Sequence, residues 1–308
     1  RYPLRVLALP CTRPKPFWAM YGTRDGWLMS LSKLIDPNSI PPRTRETADA
    51  LAAGARLVQM ECVAAAAKGL ALAGVYSRLD RAMLVLTYTN EQAERITEDL
   101  PLYGIPSDQV LFYPSSDSMI YEEGPPNYAV IGERLAALHA LAEGRKCIVV
   151  APIDAALRRT MPRSVMIRSY SEVRVGEDID LERFAELLVG MGYESTDVVD
   201  RHGEFSRRGG IIDVYASNEE HPLRIELFGD SIESIRHFDS ASQRSTDRTN
   251  SALILPAREL LLDEENASKA AARIRKELSA QAESLSDAQD PEAAQRLLER
   301  LEDAITSL

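Results

Sequence analysis

Short apolar runs alternate with helix-like segments over the first half of this chain, and no other feature constrains its fold as strongly. The run at residues 81–87 (RAMLVLT) is almost uninterrupted in its apolar character, as buried parallel strands are. Similar runs lie at residues 109–113 and 146–151, and segments with helical spacing lie at 44–55, 64–79, 90–100 and 128–142. Thr89 or Asn90 is the expected cap of the helix at 90–100. This order predicts an α/β fold, a parallel sheet with helices on its faces.

The sequence changes character at about residue 165. One helix is predicted at residues 181–191, and short alternating segments follow at 210–215, 223–228 and 232–238, separated by turn residues. This stretch predicts an α+β domain built on antiparallel hairpins. Two helices are predicted beyond it, near residues 264–284 and 291–306. Because no turn, cap or closing strand precedes Leu308, we expect the chain to be a fragment of a longer protein.

A degenerate phosphate-binding loop is expected in front of the second predicted helix, in a strand-loop-helix unit whose strand would be the short apolar run at residues 56–63. The pattern G-x-x-x-x-G-K-[ST] cradles phosphates with backbone N–H groups and holds Mg²⁺ with its hydroxyl. Here Cys62 and Ala67 replace both glycines, Lys68 is kept, and Gly69 replaces the hydroxyl residue. The alanine run favours a helix that starts early and leaves no anion site. Alternatively, Lys68 is an ordinary solvated helix lysine; on either interpretation we predict no ATP hydrolysis and no catalytic residues.

One predicted strand places unusual side chains on its outer side. Alternation along residues 223–228 puts the leucines and the isoleucine on a core face, and Arg224 and Phe228 together on the opposite face. Exposed aromatic and arginine side chains are typical anchors of protein interfaces. Gly209 and Gly210 allow a bulge or a close backbone approach, and a bulge there would bring Arg208 to the same face. The alternative is that Phe228 packs beneath the helix at 181–191 and both arginines are ordinary surface charges.

Composition narrows the classes of function. The net charge of −11 argues against a protein that grips phosphates over a broad surface, although it allows a local basic patch. The cysteines Cys11, Cys62 and Cys147 are far apart and form no C-x-x-C, so we expect a reducing, cytoplasmic compartment without disulfides. The four histidines form no metal-binding motif, and no apolar run is long enough to cross a membrane. We therefore expect no metal, no cofactor and no membrane contact.

Several sequence blocks resemble the amino-terminal region of bacterial transcription-repair coupling factors, which is similar to the excision-repair protein UvrB. The most specific blocks are GEFSRRGGIIDV at residues 203–214 and LRIELFGDSIESIR at 223–236. Shorter blocks occur in the same order: LFYPS at 111–115, IGERLAAL at 131–138, VVAPI at 149–153, residues 192–199, and LPARE at 255–259. The stretch before residue 110 matches only loosely, and residues 1–42 match nothing recognisable. The degenerate loop and the short link at 114–128, too short for the DNA-inserting hairpin of UvrB, resemble the coupling factors and not UvrB.

The resemblance implies a RecA-like parallel-sheet domain without ATPase activity, interrupted by a smaller α+β domain that binds UvrA. It implies UvrA-contacting roles for Arg208, Arg224 and Phe228. The expected boundaries are an extension outside the fold at 1–42, the RecA-like domain at 43–164, the UvrA-interaction domain at 165–255, and a helical return to the RecA-like domain at 256–308. RNA polymerase and DNA would be bound only by parts of the longer, ATP-driven parent that lie outside this chain.

Two other hypotheses stay open on the sequence. One is a UvrB-type, ATP-dependent DNA-damage recognition protein with a divergent loop; Cys62, Ala67 and Gly69 argue against it. The other is a free-standing regulator that binds UvrA without any translocase attached. The leading hypothesis is the UvrA-recruiting module of a transcription-repair coupling factor in nucleotide excision repair.

Overall fold

The structure is a computed structural model that describes residues 40–61, 63–64, 67–116, 127–261 and 264–287. The chain divides between Glu259 and Leu260 into two compact units. The predictions for Cys11, Cys62, the extension before residue 40 and the helix at 291–306 lie outside the described residues.

A three-stranded parallel sheet organises the first part of the first unit. Its strands lie in the order β1–β3–β2, with Val85 of β1 opposite Val150 of β3. Ala73 and Tyr76 pack against one face of the sheet, and Ala137 and Ala140 against the other. The elements are α1 (Pro42–Ala52), α2 (Lys68–Arg78), β1 (Met83–Thr87), α3 (Asn90–Asp99), β2 (Val110–Phe112), α4 (Tyr128–Ala142), β3 (Ile148–Pro152), α5 (Ile153–Leu157) and α6 (Arg163–Met166). The predicted parallel sheet with helices on its faces is confirmed.

Local sequence signals set several of these boundaries. The Thr89 hydroxyl accepts a hydrogen bond from the backbone N–H of Gln92 at 3.3 Å, so Thr89 is the cap of α3. Pro41 and Pro42 fit the start of α1, where the missing N–H of proline costs no helical hydrogen bond. Gly104, with a φ of 87°, ends the short 3₁₀ turn that follows α3.

Two predictions in front of the parallel sheet are wrong. Helix α2 begins at Lys68 and not near residue 64; the Ala67 N–H before it donates to the Ala64 carbonyl at 2.9 Å. The described residues 56–61 lie in no strand, so the strand expected before the loop is not formed by them. Among the residues that the structure describes, no strand lies between α1 and α2, where a phosphate-binding unit needs one.

A six-stranded sheet dominates the second part of the first unit, in the order β10–β9–β8–β7–β6–β5. All neighbouring strands are antiparallel except β5 and β6, so the predicted hairpins are confirmed. A separate two-stranded sheet pairs β4 with β11. The elements are β4 (Ser171–Arg174), α7 (Leu181–Gly190), β5 (Glu194–Ser195), β6 (Glu204–Arg208), β7 (Ile211–Val214), β8 (Leu223–Phe228), β9 (Ser231–Phe238), β10 (Ser245–Thr249) and β11 (Ser251–Ile254).

Helix α7 covers one face of this sheet. Its Phe184 and Leu188 are buried against Ile212 of β7 and Ile225 of β8. Burying each such side chain stabilises the fold by about 1.5–3 kcal/mol. We call the face under α7 the core face and the opposite one the outer face.

Helix α4 joins the two parts by close backbone contact. A Cβ atom at Gly132 would lie 1.8 Å from the carbonyl oxygen of Ser217, in the loop after β7, so only glycine fits there. Two residues on, Arg134 is 2% exposed and its Nε lies 2.5 Å from Oε1 of Glu259. The same guanidinium donates to the Pro114 carbonyl at 2.8 Å and lies 4.2 Å from the ring centre of Tyr113.

The described part of the second unit is one helix, α8 (Glu264–Asp287). Ala271 and Leu278, seven residues apart, are buried and so mark one side of this helix. No helix in the described ranges is both long and apolar enough to cross a membrane. Within those ranges, no group of three or more histidine, cysteine or acidic residues could hold a metal ion.

Candidate functional site

The strand register brings the three predicted interface residues to one side of the six-stranded sheet. Arg208 pairs across the ladder with Ile211, and Ile211 pairs with Glu226, so these three side chains share a face. Arg224 and Phe228 lie two residues either side of Glu226 on β8 and therefore point the same way. Arg208 and Phe228 are two strands and two residues apart, roughly 12 Å. All of them lie on the outer face.

Phe228 is the most exposed of the three, with 82% of its surface open to solvent. It ends β8 just before the turn at Gly229, whose φ of 65° suits glycine, and pairs with Ser231 across the hairpin. The interpretation that Phe228 packs beneath the helix at 181–191 is wrong, because that helix covers the core face. Burying a phenylalanine side chain stabilises a fold by about 1.5–3 kcal/mol, and the exposed Phe228 does not contribute this free energy.

Arg224 lies on the same face but is largely covered. Its Nε and Nη2 donate to the two carboxylate oxygens of Asp213, both at 2.7 Å, and its guanidinium lies 4.5 Å from the ring centre of Phe238. The side chains of Arg224 and Asp213 are only 18% and 7% exposed. The hydrogen bonds to Asp213 are the main cause that raises the pKa of Arg224 above its usual range. Arg224 is thus held in a fixed orientation by its own sheet.

Arg208 is exposed at the end of β6, and its Nη2 donates to the backbone carbonyl of Asp197. The Ser206 hydroxyl donates to the same carbonyl at 3.0 Å, which places both residues against the loop after β5. Gly209 and Gly210 form the turn between β6 and β7. A close backbone approach, one of the two predicted options, is confirmed: the Leu227 N–H donates to the Gly210 carbonyl at 2.8 Å, and a Cβ at Gly210 would lie 3.1 Å from the Leu227 carbonyl oxygen.

Sequence reasoning missed the residues that surround this arrangement. Asp213 is the carboxylate that fixes Arg224, and Glu226 pairs with Arg236 at 3.1 Å. Alternation places Glu226 and Arg224 on one face, but it does not give the register between strands. The register puts Asp213 opposite Arg224, and this pairing was the missing signal.

The stretch predicted to be a degenerate phosphate loop lies far from these residues in the chain, and Tyr103 packs against its carboxyl-terminal end at Gly69. Lys68 is the first residue of α2, half-buried, and Ala67 before it makes no side-chain cap. A Cβ atom at Gly69 would lie 2.7 Å from Cε2 of Tyr103. The position that needs a serine or threonine to hold Mg²⁺ is therefore filled by an aromatic ring. Cys62 lies outside the described residues.

This chain is similar to a known domain family over part of its length and to known proteins over a longer stretch. Residues 172–260 match the family described as the UvrB interaction domain, and the six-stranded sheet with its arginines and Phe228 lies within this matched stretch. Over a longer stretch the chain is similar to transcription-repair-coupling factors: 35% identical over 231 residues in Myxococcus xanthus, and 37% over 201 and 199 residues in Bacillus subtilis and Staphylococcus aureus. These alignments cover 65–73% of the chain.

The resemblance to the amino-terminal region of transcription-repair coupling factors that the sequence blocks indicate is therefore confirmed. The chain spans 17–19% of the length of these curated relatives.

Proposed function

We propose that this chain is the UvrA-recruiting module of a transcription-repair coupling factor and acts in nucleotide excision repair in the bacterial cytoplasm. In this proposal the domain at 165–255 docks UvrA through Arg208, Arg224 and Phe228, while the parallel-sheet domain is RecA-like and hydrolyses no ATP. RNA polymerase and DNA would be contacted by other parts of the parent, an ATP-dependent translocase. The similarity to coupling factors and the match to the UvrB interaction domain support this assignment.

The exposure of Phe228 is the observation that carries the proposal. The side chain stands at the end of a regular strand, and the exposed Arg208 lies on the same face at the same end of the sheet. An apolar side chain flanked by arginine suits an acidic partner surface with an apolar centre, because the aromatic ring gains burial while the cations meet carboxylates. Arg224, already fixed by Asp213 and by the Gln243 carbonyl, which accepts from Nη1 at 3.4 Å, would present its remaining N–H groups without a large cost in side-chain entropy.

Titration with UvrA tests the docking proposal. Phe228→Ala should weaken binding by about 2 kcal/mol, or roughly 30-fold, as the loss of an interface anchor does. Tyr88→Ala is the matched control, because Tyr88 is an aromatic residue 80% exposed at the end of β1 in the parallel-sheet part. Binding unchanged in Phe228→Ala, or weakened equally in Tyr88→Ala, would reject the assignment.

Arg208→Ala is a cleaner second variant than Arg224→Ala. Arg208 bonds only a backbone carbonyl among the described contacts, whereas removing Arg224 leaves the carboxylate of Asp213 covered and unpaired. Arg208→Ala should weaken UvrA binding with an unchanged melting temperature. A lower melting temperature in this variant would mean that its binding defect reports on folding and not on the interface.

The absence of ATPase activity is tested separately. Residue 69 cannot carry a hydroxyl without displacing Tyr103, which argues against the UvrB-type, ATP-dependent alternative. We expect neither saturable binding of ATP–Mg²⁺ nor hydrolysis by this chain. ATP binding that disappears in Lys68→Ala would favour the alternative.

A further inference from the structure

Three arginines face one another across neighbouring strands of the outer face. Arg224 on β8 pairs directly with Arg236 on β9, and Arg236 pairs with Arg248 on β10, the edge strand of the sheet. We call these three residues the arginine row. Directly opposed like charges destabilise a sheet, so the row needs compensating anions.

Two of the three charges are compensated within the sheet. Arg224 is held by Asp213 at 2.7 Å, and Arg236 by Glu226 at 3.1 Å. Arg248 is exposed, and no ion pair or side-chain hydrogen bond of it is found among the described residues. The row therefore ends, at an open sheet edge, in a cation without a counter-charge.

We infer that the arginine row binds an acidic protein segment that lies across β8, β9 and β10, with one carboxylate on Arg248 and a second beside Arg236. This inference rests on the proposed function and deepens it: the segment belongs to the same partner that covers Phe228. It extends the docking surface from the exposed end of β8 to the edge strand.

The spacing of the row suits such a segment. Neighbouring strands lie about 4.8 Å apart, so the three guanidinium-bearing residues span about 10 Å. Side chains three or four residues apart on a helix are about 5–6 Å from one another. Acidic residues on one helix face therefore match successive arginines, as Asp213 already matches Arg224 within the sheet.

The charges around the row favour carboxylates over a nucleic acid. Glu226, Asp230, Glu233 and Asp247 lie on the same hairpins, the last three exposed, and the net charge of the chain is −11. The continuous phosphate charge of a nucleic acid would meet these acids at several points, whereas separate carboxylates avoid them.

Titration of UvrA with charge variants of the row tests the inference. Arg248→Glu should weaken binding about tenfold at low salt, and the difference should shrink as salt is raised, because the interaction is between exposed charges. Arg248→Lys keeps the charge and should stay within about threefold of the wild type. Glu226→Gln removes the carboxylate that competes for Arg236 and should tighten binding about threefold. Arg95→Glu, an exposed charge reversal on α3, is the matched control.

The UvrA affinity of Arg248→Glu is compared with that of Phe228→Ala to separate the two proposals. Wild-type affinity in Arg248→Glu, with a clear loss in Phe228→Ala, overturns the arginine row and leaves the proposed function standing. Wild-type affinity in both, or no binding by the unaltered chain, rejects the proposed function and the row together. Labelled duplex DNA, titrated without UvrA, is the remaining arm: binding that Arg248→Glu abolishes would identify a nucleic acid as the occupant and overturn the inference.

Discussion

The two parts of the first unit differ in how far candidate functional side chains are exposed to solvent. Beside the parallel sheet, the first turn of α2 is closed by Tyr103, which packs on Gly69, and Lys68 is left half-buried. On the six-stranded sheet, Arg208 and Phe228 stand in solvent while Asp213 and Glu226 hold the arginines beside them. Packing thus covers the first turn of α2 in one part, whereas the other part leaves an aromatic and a cationic side chain exposed at a cost in stability.

The largest effect should come from the contact that joins these two parts. Arg134→Ala leaves the carboxylate of Glu259 without its partner, and we expect a loss of about 3–5 kcal/mol in the free energy of unfolding. Chemical denaturation followed by circular dichroism measures it. Arg78→Ala breaks an exposed pair with Asp49 and should cost less than about 1 kcal/mol. Equal effects in the two variants would show that the parts are not coupled through Arg134.

A somewhat smaller loss should follow removal of the covered arginine on the outer face. Arg224→Ala leaves Asp213 unpaired, and we expect a destabilisation of roughly 3 kcal/mol. Adding Asp213→Asn should recover part of this loss, since the unpaired charge is then gone. A melting temperature like that of the wild type in the single variant would mean that Arg224 is free for a partner and not committed to its own sheet.

Gly69→Ser restores the hydroxyl residue of the phosphate-binding pattern, and we expect that this single substitution does not make the parallel-sheet part bind a nucleotide. The new side chain meets the Tyr103 ring, so we expect a destabilisation of about 1–3 kcal/mol and no binding of ATP–Mg²⁺ by calorimetry. Tyr103→Ala in the same chain should relieve the contact made by the serine. ATP binding in either variant would contradict the interpretation of a site lost by packing.

The smallest change in stability should come from the residue with the largest expected effect on binding. Phe228→Ala should alter the free energy of unfolding by less than about 0.5 kcal/mol, because its ring contacts mostly solvent. Phe184→Ala, a buried phenylalanine under the same sheet, should cost about 3–5 kcal/mol. A large loss of stability in Phe228→Ala would remove the separation between folding and docking on which the comparison depends.

Sequence patterns predicted the elements of both parts well, because each depends on local periodicity. Helix α4 and strand β8 have the predicted bounds, and Thr89 caps α3 as expected. Alternation also placed Phe228 on the outer face. The strand expected before the phosphate loop failed, because an apolar run does not show whether a neighbouring strand will pair with it.

Local periodicity could not predict which residues of the fold contact the candidate residues. Asp213 opposite Arg224 and Arg248 opposite Arg236 follow from the register between strands, which is set by turns and by irregularities in β9 and β10. The Gly69–Tyr103 contact joins residues 34 positions apart and follows from packing alone. The assignment of Arg208, Arg224 and Phe228 to a UvrA interface stays a prediction.

The Arg134–Glu259 pair has a mechanical consequence. Glu259 is the last residue of the first unit, so a pulling force on the backbone at Leu260 reaches this residue before any other of that unit. The Arg134–Glu259 pair, the pair of Arg258 with Glu194 of β5, and the bond from the Ala257 N–H to the Met191 carbonyl resist such a force in turn. Pulling from that side therefore loads α4 and the β5 edge of the six-stranded sheet before it reaches β8, the strand that carries Phe228.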